Sequence, residues 1–345
     1  MDPYTKVIHA DAALSESPDV APPIRPSTTY AEGTGRRYRR GSHETTERLE
    51  AVLGSLEEGH AVCYSSGMAA ASAAMAFLRP ARVALPDEVY HEVRTLALSL
   101  QEAGTVEISP PSELSSGDVQ WIETPSNPRC LLTDIAAVAE VNKAKGVRTV
   151  VDSTFATPIL SNPLTMGADL VLHSVTKAIS GHSDVQAGAL VIAEEADAER
   201  LRDQRLVTGA TPGSLDVWLA LRGIRTLPLR VERMVSSAAR VADWLDSRGI
   251  ETWYPGLVDH PGHDIAQRQM SGFGSMLAIN VGSAAEAERI VESVNLFTSA
   301  TSLGGVESLI EHRLKSDPTM DPGIVRLSIG LEDPADLIAD LAHAI

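Results

Sequence analysis

Val150-Val151-Asp152-Ser153-Thr154-Phe155, and then Leu170-Val171-Leu172-His173-Ser174-Val175-Thr176-Lys177, decide how this chain is read. Each block is a short aliphatic run that ends in polar residues. Arg148 to Val151 reads as a strand ending at Asp152, and Asp169 to Leu172 as a strand ending at His173-Ser174. Working outward, Val119-Gln120-Trp121-Ile122 is a further strand ending at Glu123-Thr124-Pro125, and Ala189 to Ile192 is another. Asp134 to Gly146 between them has helical character. Strand–helix alternation over roughly 60–225 predicts a largely parallel α/β sheet, and in such sheets ligands bind beyond the carboxyl ends of the strands. The polar residues above stand at those ends.

The flanks differ in character. Residues 1–45 carry Pro3, Pro18, Pro22, Pro23 and Pro26 and the basic cluster Arg36-Arg37-Tyr38-Arg39-Arg40, which reads as an extended arm. Leu49, Val52, Leu53 and Leu56 then recur at helical spacing, with Gly59 beyond them as a stop. Near 226 a long helix begins, with Val231, Met234, Val235, Ala238, Ala242 and Leu245 on one face and Gly249 past its end. The expected organisation is an arm over 1–45, an α/β domain over 46–225 and a smaller α+β domain over 226–345. The last helix is expected to start from the cap Asp333 with Pro334 at its first position.

Composition narrows the function. With 46 acidic against 29 basic side chains the net charge is −17, which repels nucleic-acid backbones and anionic membranes. No stretch reaches the roughly 18 apolar residues of a membrane span. The N-terminal residues carry no apolar signal-peptide run. Cys63 and Cys130 have no metal-ligand spacing and make no disulfide framework, as expected of reduced thiols in a cytoplasmic protein. No G-x-G-x-x-G, P-loop or H-E-x-x-H is present, so no metal is expected, and His173, His182, His260 and His263 read as structural.

Asp152 and Lys177 admit two readings. They can be a turn residue and a surface lysine, both common after strands. Alternatively they suit a pyridoxal phosphate site, where a lysine forms the imine, a carboxylate keeps the pyridine nitrogen protonated, and hydroxyls with backbone N–H groups hold the phosphate. Ser174 and Thr176 lie beside the lysine. Tyr64-Ser65-Ser66-Gly67-Met68-Ala69-Ala70 is either a simple N-cap or an anion-binding helix start. Ser174-Val-Thr-Lys177 also matches the S-x-x-K of β-lactamases, but Ser183-Asp184 is followed by Val185 and no K-T-G occurs.

Taken in order, the segments resemble the Cys/Met-metabolism family of pyridoxal-phosphate enzymes. The resemblance runs through Ser65-Ser-Gly-Met-Ala-Ala70, Glu123-Thr-Pro-Ser-Asn-Pro128, Asp152-Ser-Thr-Phe155, His173-Ser-Val-Thr-Lys177, Gly181-His-Ser-Asp184, Ser302-Leu-Gly-Gly-Val-Glu-Ser-Leu309 and Val325-Arg-Leu-Ser-Ile-Gly330. It implies fold type I, with a mostly parallel central sheet, an arm and a small C-terminal domain. It also implies a homo-oligomer, a dimer of dimers, acting on a small amino acid.

By the same resemblance Lys177 carries the cofactor and moves the Cα proton, and Asp152 pairs with the pyridinium nitrogen. Gly67, Met68, Ser174 and Thr176 hold the phosphate. Tyr90 stacks on the ring and can act as an acid/base, while Tyr38 and Arg40 reach a neighbouring subunit's phosphate. Arg326 forks onto the substrate α-carboxylate, with Asn127 and Ser302 as companions. The implied reaction is γ-elimination, with γ-replacement as the alternative. A catalytically silent paralogue used as a binding protein is the reading from another class.

Several segments depart from the family pattern. Ser42-His43-Glu44-Thr45 replaces Gly-Asn-Pro-Thr, and Tyr90-His91-Glu92-Val93 replaces Tyr-Gly-Gly-Thr. Ser153 replaces an Asn, and Thr301 replaces a common glutamate. Arg313-Leu-Lys-Ser-Asp-Pro rewrites the segment after Glu311-His312. His91 and Glu92 also read simply as a polar helix start.

Overall fold

The computed structural model describes all 345 residues, Met1–Ile345. The chain divides into two compact units, Met1–Glu123 with Ile135–Leu227, and Thr124–Asp134 with Pro228–Ile345.

Seven strands build the sheet of the first unit: β1 His60–Tyr64, β2 Arg82–Ala84, β3 Glu107–Ile108, β4 Val119–Glu123, β5 Arg148–Asp152, β6 Leu170–His173 and β7 Gly188–Ile192. Their order is β1-β7-β6-β5-β4-β2-β3. The pairs β6–β5, β5–β4, β4–β2 and β2–β3 are parallel, and β7 runs against both of its neighbours. β6 and β7 are buried at every position, as expected of strands covered by helices on both faces. Val150, Leu170, Leu172 and Leu190 pack into one core with Ala70, Ala71 and Ala74 of the helix Gly67–Leu78. Burying each such leucine contributes roughly 2 kcal/mol.

The arm is more structured than its prolines suggest. Pro3–His9 is a helix, because Asp2 caps the Tyr4 N–H and Pro3 occupies a first-turn position where no amide is needed. Asp11, 1% exposed, then ties this segment to the unit through Arg48 and Arg225, both at 2.7 Å. Residues 16–43 contain no helix and only an isolated bridge between Thr29 and Tyr38. The helix Glu44–Glu57 follows, with Leu49, Val52, Leu53 and Leu56 buried as the spacing predicted.

The second unit holds a sheet of β8 Glu251–Trp253, β9 Met276–Asn280, β10 Thr298–Ser299, β11 Leu309–His312 and β12 Ile324–Ser328, in the order β10-β11-β12-β9-β8. The helix Leu227–Ser247 leads into it, and Ala238, Val241, Ala242 and Leu245 pack with Leu277, Ile279, Val325 and Leu327. The last helix, Pro334–Ala344, starts as the sequence predicts: Asp333 accepts the Ala335 N–H at 2.8 Å, a cap worth about 1 kcal/mol. Thr124–Asp134, which the sequence places inside the middle domain, groups with this second unit. It is held there by His260 against the Arg129 carbonyl, Gln269 onto the Thr133 carbonyl, and Arg268 on Asp134.

Candidate active site

In the first unit the site residues gather at strand ends. Asp152 is the last residue of β5, opposite Glu123 in β4 and Leu172 in β6. Its carboxyl is buried, accepts the Thr154 N–H at 3.0 Å, and meets no lysine or arginine. Burial therefore pushes its pKa up, and the Thr154 hydrogen bonds and the field of His173 offset this only in part. Such an acid suits a group that brings its own positive charge.

Lys177 lies four residues beyond β6 in a turn, its amide donating to the Ser174 carbonyl at 3.1 Å. The turn is anchored twice more. Thr176 exchanges backbone and hydroxyl hydrogen bonds with Ala187, and the Ser174 amide donates to the Thr154 hydroxyl at 2.9 Å. Ser174 and Thr176 thus differ. The Thr176 hydroxyl already donates to the Ala187 carbonyl, whereas Ser174 turns its hydroxyl toward Gly67, where an added Cβ would approach it to 3.1 Å.

Gly67 and Met68 open the helix Gly67–Leu78, whose cap Ser66 accepts the Ala69 N–H at 2.9 Å. Amides at the first two helical positions have no acceptor within the helix, and they concentrate its positive dipole end. Gly188 of β7 lets the strand approach this helix start: a Cβ there would meet the Ser66 carbonyl oxygen at 2.3 Å. The local chemistry can therefore hold a group with a phosphate at one end and a cationic ring nitrogen at the other.

Tyr90 caps the helix His91–Glu102 and is 41% exposed. Its amide donates to Glu123 Oε2 at 2.6 Å, so a buried carboxylate at the end of β4 fixes the tyrosine's backbone beside the strand that carries Asp152. Glu92 stands in the first helical turn, as a polar helix start requires. Sequence reasoning quoted Glu123 only as part of a motif and gave it no task. It also missed that His173 and Glu57 form a fully buried pair, Nε2 to Oε1 at 2.5 Å, at the end of β6. Tyr38 and Arg40 lie in the arm, with the Arg40 guanidinium over the Tyr38 ring at 5.3 Å and the tyrosine 49% exposed.

The remaining candidates belong to the second unit. Arg326 in β12 is 3% exposed. Its Nη1 donates to Asn127 Oδ1 at 3.1 Å, and its Nη2 donates to the Ser302 carbonyl at 2.7 Å. Ser302 takes a left-handed φ of 86°, uncommon for a residue with a side chain, and its carbonyl serves the arginine from that conformation. The structure brings Arg326, Asn127 and Ser302, named together from the sequence, into one hydrogen-bonded group. The structure adds Glu311, paired across β11–β12 with Arg326.

A family model described as Cys/Met metabolism PLP-dependent enzyme matches residues 4–345. A cystathionine gamma-synthase from Mycobacterium tuberculosis is 39% identical, covering 99% of this chain and 96% of its own. A cystathionine gamma-lyase from Bacillus subtilis is 37% identical over 100% of this chain and 99% of its own. A crystal structure described as a methionine gamma lyase from Micromonospora echinospora superposes with a TM-score of 0.92 at 37% identity, covering 100% and 99% of the two chains.

Proposed function

The chain belongs to the Cys/Met-metabolism family of pyridoxal-phosphate-dependent enzymes, and on that premise we propose that it catalyses γ-elimination from a γ-substituted L-amino acid. Pyridoxal phosphate, when bound, supplies an electron sink for the carbanion formed at Cα.

The chain's own residues do the rest. Gly67, Met68 and Ser174 hold the phosphate, and Thr176 joins them by turning its hydroxyl from Ala187. Asp152 keeps the ring nitrogen protonated, because a buried acid with no lysine or arginine beside it is stabilised as a carboxylate by a cation next to it. Lys177 binds the cofactor at rest and then takes the Cα proton. Removal of a Cβ proton lets the γ-substituent leave with the electrons of its bond to Cγ. Tyr90, fixed by Glu123, is placed to hand the leaving group a proton. Water then completes release of a 2-oxo acid and ammonia. Arg326 binds the α-carboxylate, supported by Asn127 and the Ser302 carbonyl. Tyr38 and Arg40 serve the phosphate of a neighbouring copy in a homo-oligomer.

The choice of elimination over γ-replacement rests on one observation. Replacement of the cystathionine-forming kind holds a second, thiol-bearing amino acid whose ammonium calls for a carboxylate. At position 301, where the family pattern commonly carries a glutamate, this chain has an exposed threonine. Water needs no such anchor. The test is to incubate the purified enzyme with L-cystathionine, L-methionine, O-acylhomoserines and γ-halogenated amino acids, with and without cysteine. Elimination gives keto acid and ammonia without any thiol. A product formed only when cysteine is present would establish replacement instead.

A further inference from the structure

Residues 16–43 hold no helix, yet three of them are seated on the first turn of one. Glu44 and Glu47 open the helix Glu44–Glu57, and residues three apart share a helix face. Glu44 is buried, accepts the Glu16 N–H at 3.0 Å and stands 2.7 Å from Arg25 Nε. Glu47 takes both ends of the Arg36 fork, Nη1 on Oε1 at 2.6 Å and Nη2 on Oε2 at 2.7 Å. Its Oε1 also accepts the His43 N–H at 3.1 Å. Glu16 closes the set by accepting from Arg36 Nε at 3.0 Å.

These contacts bracket Tyr38 and Arg40. Arg36 is fixed two residues before the tyrosine. One residue after it, the Arg39 N–H donates to the Thr28 carbonyl at 2.9 Å, and Arg39 Nη2 donates to the Pro212 carbonyl at 2.7 Å. The Gly41 N–H then returns to the Tyr38 carbonyl at 3.0 Å. Arg36 and Arg39 are thus tied to the chain's own first unit. Tyr38 and Arg40 are exposed, with the guanidinium over the ring.

A long irregular segment has no backbone ladder to order it, so side-chain anchors must offset its conformational entropy. A forked arginine–carboxylate pair such as Arg36 on Glu47 is among the strongest anchors of that kind. The seat also belongs to this chain's own sequence: Glu44 stands where the family pattern carries proline, which has no carboxylate to offer. We propose that Glu47 is a positioning residue for cofactor binding in a neighbouring copy: through Arg36 it fixes the arm in the conformation that presents Tyr38 and Arg40 to that copy's phosphate. This rests on the reading of Tyr38 and Arg40 given above.

The test titrates pyridoxal phosphate into full-length protein stripped of cofactor and reads the absorbance of cofactor joined to Lys177, with thermal melting and size exclusion to confirm folding and assembly. Glu47→Ala should raise the cofactor Kd about five- to tenfold, because the arm must then be ordered on binding. Arg36→Met should do the same, and the double variant should be little worse than either single one, since both break one contact. The decisive sample is a hybrid of Glu47→Ala chains with Lys177→Ala chains, co-expressed and purified through two tags. Only the Glu47→Ala chains can then join the cofactor, and the arm that serves them comes from a neighbour with Glu47 intact. The Kd should return close to that of the parent, whereas a merely structural role would leave the defect with its own chain. If Glu47→Ala does not fold or assemble, Glu47→Gln, which keeps an acceptor for the His43 amide but removes the charged fork, makes the same comparison. An unchanged Kd in the Glu47 variant while Arg40→Ala weakens binding, or a hybrid no better than the Glu47 variant alone, overturns the proposal. If Arg40→Ala leaves the Kd unchanged, the prior reading of Tyr38 and Arg40 fails instead.

Discussion

The buried carboxyl of Asp152 in the first unit meets no arginine or lysine, whereas the buried carboxylate of Glu311 in the second meets two arginines. The first unit offers backbone amides, hydroxyls and an acid short of a cation. The second offers a carboxylate shared by two guanidiniums. A buried acid without a cation is costly in isolation, and it suits a cofactor whose ring nitrogen carries a proton. The buried acid that the first unit leaves without a lysine or arginine points to what that unit binds.

Four experiments press on that contrast. The largest effect is expected from Lys177→Ala, which should lower kcat by about 10³-fold or more while the melting curve stays close to that of the parent. A variant that kept its kcat would remove the lysine from the chemistry.

Arg326→Lys should come next. It should raise KM by roughly ten- to a hundredfold with kcat little changed, since a point charge replaces a fork in uniform binding. A fall in kcat at constant KM would assign the arginine to the transition state.

The third is a pH experiment on the cofactor-free protein. Burial raises the pKa of Asp152 above its ordinary 3.8, so the folded state binds its proton more tightly than the unfolded chain does. Asp152 therefore contributes stability that is complete below about pH 3.8 and disappears as pH rises through the raised value. Asp11 has the opposite sign. Burial raises its pKa too, but the hydrogen bonds from Arg225 and Arg48 outweigh it and leave the pKa lowered, so its contribution is lost as pH falls. Urea unfolding across pH should show Asp152→Asn removing the alkaline-side loss and Asp11→Asn the acid-side one. Identical pH profiles for Asp152→Asn and the parent would contradict the account.

The smallest effect is expected from Glu123→Gln, which keeps an acceptor for the Tyr90 amide and should alter kcat by about threefold or less. Glu123→Ala should do more, because it leaves that amide unserved.

The strand ends were legible in the sequence because each strand is short, aliphatic and closed by a polar residue. Asp152, Glu123 and His173 end their strands as read. The last helix was legible because Asp333-Pro334 is a local signal. Partnerships were not. Glu57 and His173 are 116 residues apart and meet only because the helix Glu44–Glu57 lies against the sheet that carries β6. Glu311 faces Arg326 through strand register, which hydrophobic periodicity does not encode. The reversed direction of β7 was equally hidden, since an all-buried strand reads the same either way. The three-residue β2 and two-residue β3 fall below the length at which any pattern shows. The arm misled for a different reason: its prolines signal irregular backbone, yet Pro3 sits where a helix tolerates proline.

The central claim is that Lys177 holds pyridoxal phosphate. Purified enzyme should be yellow, lose that absorbance on borohydride reduction, and yield a single phosphopyridoxylated peptide carrying Lys177. A colourless protein that takes up no added pyridoxal phosphate, or a label found on another lysine, would contradict it.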